Sequence, residues 1–158
     1  MLKKILSPKT CAQCRLCCKF DRTDTWEIPV FDESTADAAK ALCPDAEFTD
    51  AGSELTFKAP ILTGDELFPC PALTDNGCGL SAENKPFDCK IWPFRMMRDD
   101  SGNTVIALSE LCTGMSEHSD ETLRNFLTSE GLDRIIFEYA SIHPSHIKPL
   151  AEGYRVII

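Results

Sequence analysis

The chain has 158 residues, of which 43% are hydrophobic, and it carries a formal net charge of −9 at pH 7. This length and apolar content predict one soluble domain with a core of ordinary size. The acidic balance argues against a nucleic-acid partner, because binding to phosphates depends on clustered lysine and arginine. No apolar run approaches the roughly 20 residues that cross a membrane, so we expect no membrane partner either.

The N-terminal residues and the number of cysteines together indicate a compartment. Residues 1–11 include three lysines but lack the apolar stretch of roughly 7 to 15 residues that a secretory signal requires. We therefore expect a cytoplasmic protein, whose cysteines are kept reduced. Nine cysteines in that setting indicate metal binding or redox chemistry, and an odd number fits a disulfide framework badly.

Four cysteines lie within eight residues in the stretch CAQCRLCC, namely Cys11, Cys14, Cys17 and Cys18. Soft metals need clustered thiolates, whereas a small core gains little from cysteine that valine or alanine would not give. If Thr10 caps a helix that begins at Cys11, Cys11, Cys14 and Cys18 fall within about 60° of arc, with Cys17 on the flank. Adjacent cysteines are awkward ligands for one tetrahedral ion, so further ligands are expected from elsewhere in the chain.

Local signals predict several elements in chain order. A helix is expected over residues 34–42, with Asp32 or Ser34 as its cap. A strand is expected over residues 54–59, where apolar side chains alternate. Residues 94–109 have the pattern of a β-hairpin with a loop of about five residues.

Four more cysteines follow in the second half of the motif region. A turn signal at residues 76–77 brings Cys70 and Cys78 onto neighbouring arms of a hairpin or knuckle. Cys89 lies between two prolines, which favours a short turn over a long helix. Cys112 directly follows the second strand of the predicted hairpin.

The C-terminal part, residues 113–158, contains no cysteine and is predicted to be mainly helical. Ser119 begins a helix that Gly131 ends, and apolar residues over 132–139 repeat with helical spacing. A final strand is expected over residues 154–158. The predicted fold is therefore a small single α+β domain over residues 1–158, with an irregular cysteine-rich metal-binding half, short strands and a helical C-terminal part.

The cysteine pattern resembles the bacterial and archaeal CxxCxxCC proteins, a YkgJ-like cysteine-cluster family described as a zinc- or iron-chelating domain. The resemblance covers residues 11–112 through CAQCRLCC, FPCPAL, NGCGL, KPFDCKIWPF and LCTG. This chain has Lys85 and Lys90 where the family usually has arginine, and lysine cannot reproduce a bidentate fork for an anion. The thiols are unaffected by that difference.

The expected metal ligands are eight thiolates, those of Cys11, Cys14, Cys17, Cys18, Cys70, Cys78, Cys89 and Cys112. The metal is expected to be zinc or iron, with a [4Fe-4S] cluster as one form of the iron. The CxxCxxC run resembles that of bacterial ferredoxins, but the cysteine that follows it is differently placed, so a remote fourth ligand would be needed. Eight thiols also suffice for two four-thiolate zinc sites, or for one cluster and a spare redox pair.

Two alternative functions belong to different classes. The resemblance extends to flagellin lysine N-methylases, which implies a [4Fe-4S]-dependent enzyme that methylates a protein substrate. Against it, the chain lacks a GxGxxG-type loop after a strand that would bind an adenosyl cofactor. A protein-interaction module with structural zinc predicts an exposed apolar patch on the helices around residues 123–139, facing a protein partner.

Five further residues are weighed between a site and an ordinary structural role. Cys43 is expected to be a packed thiol, because it stands alone after an alanine-rich helix. His143 and His146 are candidate ligands, with a solvated turn as the alternative. Trp92 and Phe94 either shield the metal site from water or belong to the core.

Overall fold

The computed structural model describes residues 2, 4–21, 25–50, 52, 54–59 and 67–158. The fold is α+β, as predicted. The chain divides into two compact units, one formed by Ser7–Lys90 and the other by Ile91–Ile158 with the residues that precede Ser7. We call them the cysteine-rich unit and the sheet unit. A single domain over residues 1–158 stays a prediction.

The cysteine-rich unit is built from short elements. They are α1 (Pro8–Cys14), a 3-10 turn (Leu16–Cys18), β1 (Lys19–Phe20), a 3-10 turn (Thr25–Glu27), α2 (Glu33–Leu42), β2 (Phe48–Asp50), β3 (Leu55–Phe57), β4 (Phe68–Pro69), β5 (Leu73–Thr74), β6 (Gly77–Cys78) and α3 (Phe87–Ile91). Antiparallel pairs join β1 to β4, β2 to β3, and β5 to β6. No two-stranded ladder of this length is stable alone, so packing must hold the unit together.

Phenylalanine side chains form the core of this unit. Phe57 lies at the centre, with ring centroids 5.4 Å from Phe20 and 6.1 Å from both Phe31 and Phe68, in edge-to-face or strongly tilted arrangements. Such aromatic pairs contribute about 0.5–1.5 kcal/mol beyond the area that they bury. The same core contains the thiol of Cys70. The aromatic core therefore holds one cysteine of the motif in a fixed place.

The helix predicted over residues 34–42 is confirmed as α2. Asp32 is its N-cap, and the Asp32 carboxylate accepts a hydrogen bond from the Thr35 backbone N–H at 2.8 Å. Ala36 and Ala39 are fully buried in the aromatic core, because small side chains let the helix approach closely. The strand predicted over 54–59 is present as the shorter β3.

The sheet unit has longer elements. They are β7 (Phe94–Arg98), β8 (Thr104–Ser109), α4 (Thr113–Ser116), α5 (Asp120–Ser129), α6 (Leu132–Ile142), a 3-10 turn (Pro144–His146), β9 (Lys148–Pro149) and β10 (Tyr154–Val156). The strand order is β10-β8-β7-β9, with β9 parallel to β7 and the other pairs antiparallel. Helix α6 packs on β7, β8 and α5.

Most sequence predictions in the sheet unit are confirmed. The β7–β8 hairpin pairs from Phe94 with Leu108 to Arg98 with Thr104, as expected. Ser119 caps α5 through a 3.2 Å hydrogen bond from the Thr122 N–H, and Gly131 adopts a left-handed conformation between α5 and α6. The C-terminal part is helical but also contributes β9 and β10 to the sheet. The final strand ends at Val156, two residues earlier than predicted.

Candidate metal centre

The helix predicted to run through the whole CAQCRLCC stretch is wrong. Helix α1 instead begins at Pro8, with Ser7 rather than Thr10 at its N-cap, and ends at Cys14. Arg15 then takes a left-handed conformation, with φ 56° and ψ 9°, which an α-helix cannot continue. The break places Cys17 and Cys18 on a separate 3-10 turn, so the four thiols do not line one helical face.

The side chain of Arg15 stabilises this break through two hydrogen bonds. Its Nε donates to the Ala12 carbonyl at 2.9 Å, and its Nη2 donates to the Asp75 carbonyl. Asp75 lies in the turn between β5 and β6. The guanidinium therefore ties the end of α1 to the loop that carries Cys78.

The two halves of CAQCRLCC differ in exposure. Cys11 and Cys14 are exposed on α1, whereas Cys17 and Cys18 are half-buried. The Cys17 and Cys18 sulfurs are 4.0 Å apart. Two thiolates on one tetrahedral zinc, at about 2.3 Å each, stand about 3.8 Å apart. Adjacent position in sequence is therefore no obstacle to shared ligation here.

Backbone pairing brings Cys70 to the 3-10 turn formed by Leu16–Cys18. Strand β1 directly follows that turn and pairs with β4, and the Cys70 N–H donates to the Cys18 carbonyl at 2.8 Å. Cys70 is buried, and Cys18 and Cys78 pack against the same core. The aromatic core that fixes β4 thereby fixes Cys70 beside Cys18.

Cys78 arrives through a tight turn against α1. The predicted Asn76-Gly77 turn is confirmed, with Leu73 opposite Cys78 across the β5–β6 pair. Gly77 has φ 100°, and a Cβ placed there would stand 3.4 Å from the Ala12 Cα. Glycine is needed for this positive φ, whereas an added Cβ would meet α1 at ordinary van der Waals distance.

Cys89 lies on α3 rather than on the short turn that was predicted. Proline at position 86 is tolerated just before a helix, so the segment forms one short helix from Phe87 to Ile91. The neighbouring Asp88 is buried and accepts a hydrogen bond from the Val30 N–H at 3.3 Å. This contact ties α3 to the segment that leads into α2.

Seven thiols in this unit are linked by electrostatic influence, and we call the five of them that are half-buried or buried the inner set: Cys17, Cys18, Cys70, Cys78 and Cys89. Burial, together with the nearby thiols of Cys78 and Cys17, raises the pKa of Cys70 to about 11. Burial also raises the pKa of Cys89 well above its ordinary value, and Cys70, Asp88, Cys78 and Cys17 add to that effect. A bound cation would instead lower the pKa of these thiols, because positive charge favours the thiolate form.

The sulfur atoms of the inner set do not converge on one metal position. Within the part of the chain that the structure describes, no three cysteine sulfurs lie within 4.8 Å of one another. The hydrogen bond with Cys18 and then burial raise the pKa of Cys17. The charge of Lys85 acts to lower the pKa of both Cys17 and Cys11. The donors are soft, partly buried and accompanied by a cation, so their chemistry suits zinc or iron, and shared binding of four thiolates to one ion would require the sulfurs to move closer together.

The remaining cysteines differ from the inner set. Cys43 is at the C-cap of α2, where its N–H donates to the Ala39 carbonyl at 3.0 Å. Cys112 belongs to the sheet unit, as the N-cap residue of α4. Its role as a ligand stays a prediction. All nine cysteines are free.

The histidine and aromatic candidates occupy the sheet unit. His146 is buried rather than on a solvated turn, and His143 stacks on Tyr139 with ring centroids 4.2 Å apart. Phe94 is fully buried in β7, and the Arg95 guanidinium lies 5.4 Å from the centre of the Trp92 ring. Shielding of a metal by these aromatic rings stays a prediction.

An exposed apolar patch on the helices of the C-terminal part stays a prediction, because most of their apolar side chains are buried and two are exposed. Leu123 and Leu127 are fully buried, and Leu132 and Ile136 are nearly so. Ile135 and Ile142, seven residues apart on α6, are 42% and 66% exposed. No helix in the described ranges is long and apolar enough to cross a membrane.

Sequence reasoning missed Arg15, Asp88 and the role of Lys85. An arginine between cysteines gives no local signal of a left-handed backbone. At Arg15 that conformation goes together with a hydrogen bond to the distant residue Asp75.

Comparisons with protein-family models, with curated proteins and with solved structures find no match for this chain.

Proposed function

We propose that this protein binds zinc or iron through cysteine thiolates, as the CxxCxxCC cysteine-cluster proteins are described to do. The observation that carries the proposal is the inner set, in which four separate chain segments contribute five interacting thiols. A cysteine that is buried only as a small hydrophobic group does not need other thiols beside it. Four of the five suffice for a tetrahedral zinc ion or for a [4Fe-4S] cluster.

Charge on the surrounding residues supports the same proposal. A four-thiolate zinc centre carries a net charge of −2, and burying that charge is costly without a nearby cation. Lys85 supplies one such cation, because its charge acts to lower the pKa of the Cys17 and Cys11 thiols. The free cysteines also support our proposal of a cytoplasmic location, where thiols stay reduced.

Metal and sulfide analysis of the full chain, purified without oxygen, tests the proposal. Zinc predicts a colourless protein with at least one equivalent of metal and no inorganic sulfide. A [4Fe-4S] cluster predicts a brown protein whose visible absorbance falls on addition of dithionite. Less than one equivalent of any transition metal, with all nine thiols open to titration, would contradict the proposal.

A matched pair of variants assigns the ligands. Cys89→Ser removes a thiol of the inner set, so metal content should fall by at least half. Cys43→Ser removes a thiol outside it and should leave metal content unchanged. Equal losses from the two variants would show that the inner set is not the site.

A further inference from the structure

The exposed cysteines of α1 differ from the inner set in accessibility. Cys11 and Cys14 are exposed, whereas every thiol of the inner set is half-buried or buried. Residues three apart on a helix are neighbours on its surface, with Cβ atoms about 5–6 Å apart. Two thiolates at that spacing can bind one soft ion, since two metal–sulfur bonds of about 2.3 Å span up to about 4.6 Å.

This exposed pair stands next to the inner set along the chain and in space. Cys17 is three positions after Cys14 in the chain, so their Cα atoms are at most about 11 Å apart. The Cys17 thiol acts to raise the pKa of Cys11, and Lys85 acts to lower the pKa of both Cys11 and Cys17. The left-handed break at Arg15 keeps the pair on α1 while directing Cys17 into the inner set.

We propose that Cys11 and Cys14 form a solvent-facing two-thiolate site that takes up a divalent soft metal ion and passes it to the inner set. This inference rests on the proposed metal-binding function. Zinc uptake forms two Zn–S bonds and releases two protons. Each subsequent bond to an inner thiol releases one proton, and each outer bond that breaks leaves a thiolate that takes up one. The zinc stays Zn²⁺ and no electrons move.

The test compares zinc loading of two double variants of the full chain. C11S/C14S removes the pair, and T10S/Q13S changes two exposed residues with the same spacing on the same helix. Each metal-free protein is mixed with a zinc-loaded chromophoric chelator, and transfer is followed by stopped-flow absorbance. C11S/C14S should reach the same final zinc content at least about tenfold more slowly, because a tethered donor site raises the effective metal concentration into the millimolar range. T10S/Q13S should load at the wild-type rate.

Rapid-quench alkylation of the wild-type protein gives a second measurement that needs no variant. Cys11 and Cys14 should become protected first, then reactive again while the inner set stays protected at one equivalent of zinc. Lasting protection of the pair, lower final zinc content in C11S/C14S, or unchanged loading speed would each overturn the inference alone. Less than one equivalent of zinc in the wild type would also overturn it, and metal and sulfide analysis would then decide the proposed function separately.

Discussion

Arg15 shows how one residue shapes the candidate site. A left-handed conformation costs an L-residue about 1–2 kcal/mol, and here the side chain offsets that cost through hydrogen bonds to the Ala12 and Asp75 carbonyls. Without the break, α1 would continue and Cys17 would leave the inner set.

Two substitutions at Arg15 separate backbone from side chain. Arg15→Ala keeps the strained backbone and loses both hydrogen bonds, whereas Arg15→Gly loses the bonds but relieves the strain. We expect the glycine variant to be more stable than the alanine variant by about 1 kcal/mol, measured by urea unfolding. Equal stabilities would show that the conformation carries no strain.

Asp32 provides a pH-dependent contribution at the start of α2. Hydrogen bonds from Thr35 and Ser34 hold the pKa of Asp32 below its ordinary value of 3.8. The folded pKa is lowered, so this stabilisation is present above pH 3.8 and is lost as the pH falls through the folded pKa. Asp32→Ala should cost about 1 kcal/mol at neutral pH, measured by urea unfolding.

The control at this position is Asp32→Asn. Asparagine caps a helix about as well as aspartate but does not titrate. Stability at neutral pH should therefore be nearly retained, while the loss of stability below about pH 4 should become smaller. An unchanged acid profile would exclude Asp32 as its source.

At the scale of elements, the turn that leads into β6 depends on the positive φ of Gly77. Gly77→Ala places a methyl group 3.4 Å from the Ala12 Cα at a backbone φ of 100°. We expect a loss of about 1–3 kcal/mol in stability from the strained φ, and weaker zinc binding because the strained residue is next to Cys78. Urea unfolding and competition with a zinc chelator measure the two effects.

Gly52→Ala is the matched control for that substitution. Gly52 also has a positive φ, of 82°, but no atom lies within 4 Å of the added Cβ. Stability should fall through strain alone while zinc affinity stays at the wild-type value. If both variants weaken zinc binding equally, strain next to Cys78 is not the cause.

Elements with a strong local pattern could be predicted, whereas elements with non-local causes could not. The β7–β8 hairpin and helices α5 and α6 follow from hydrophobic period, caps and turn residues within a short window. The pairs β1–β4 and β7–β9 are two residues long, too short to show any period. The end of α1 was missed because it depends on a partner 60 residues away.

At the scale of the whole molecule, metal would contribute a large share of stability. Structural zinc contributes about 10–16 kcal/mol in peptides, against about 5–15 kcal/mol for the stability of an entire domain. Chelation should therefore increase amide hydrogen exchange around β1, β4 and β6, while β7 and β8, which have longer pairing and a buried face, stay protected. Unchanged exchange after complete metal removal would show that packing alone holds the cysteine-rich unit.

The sequence by itself determined the α+β class, the cysteine pattern and the helices and hairpin with strong local periods. Those features depend on residues that are close along the chain, so composition and spacing suffice to predict them. Tertiary structure alone decided the separation of Cys11 and Cys14 from the inner set. That division comes from the left-handed break at Arg15 and from the pairing of β1 with β4, and both depend on contacts with residues far away in sequence.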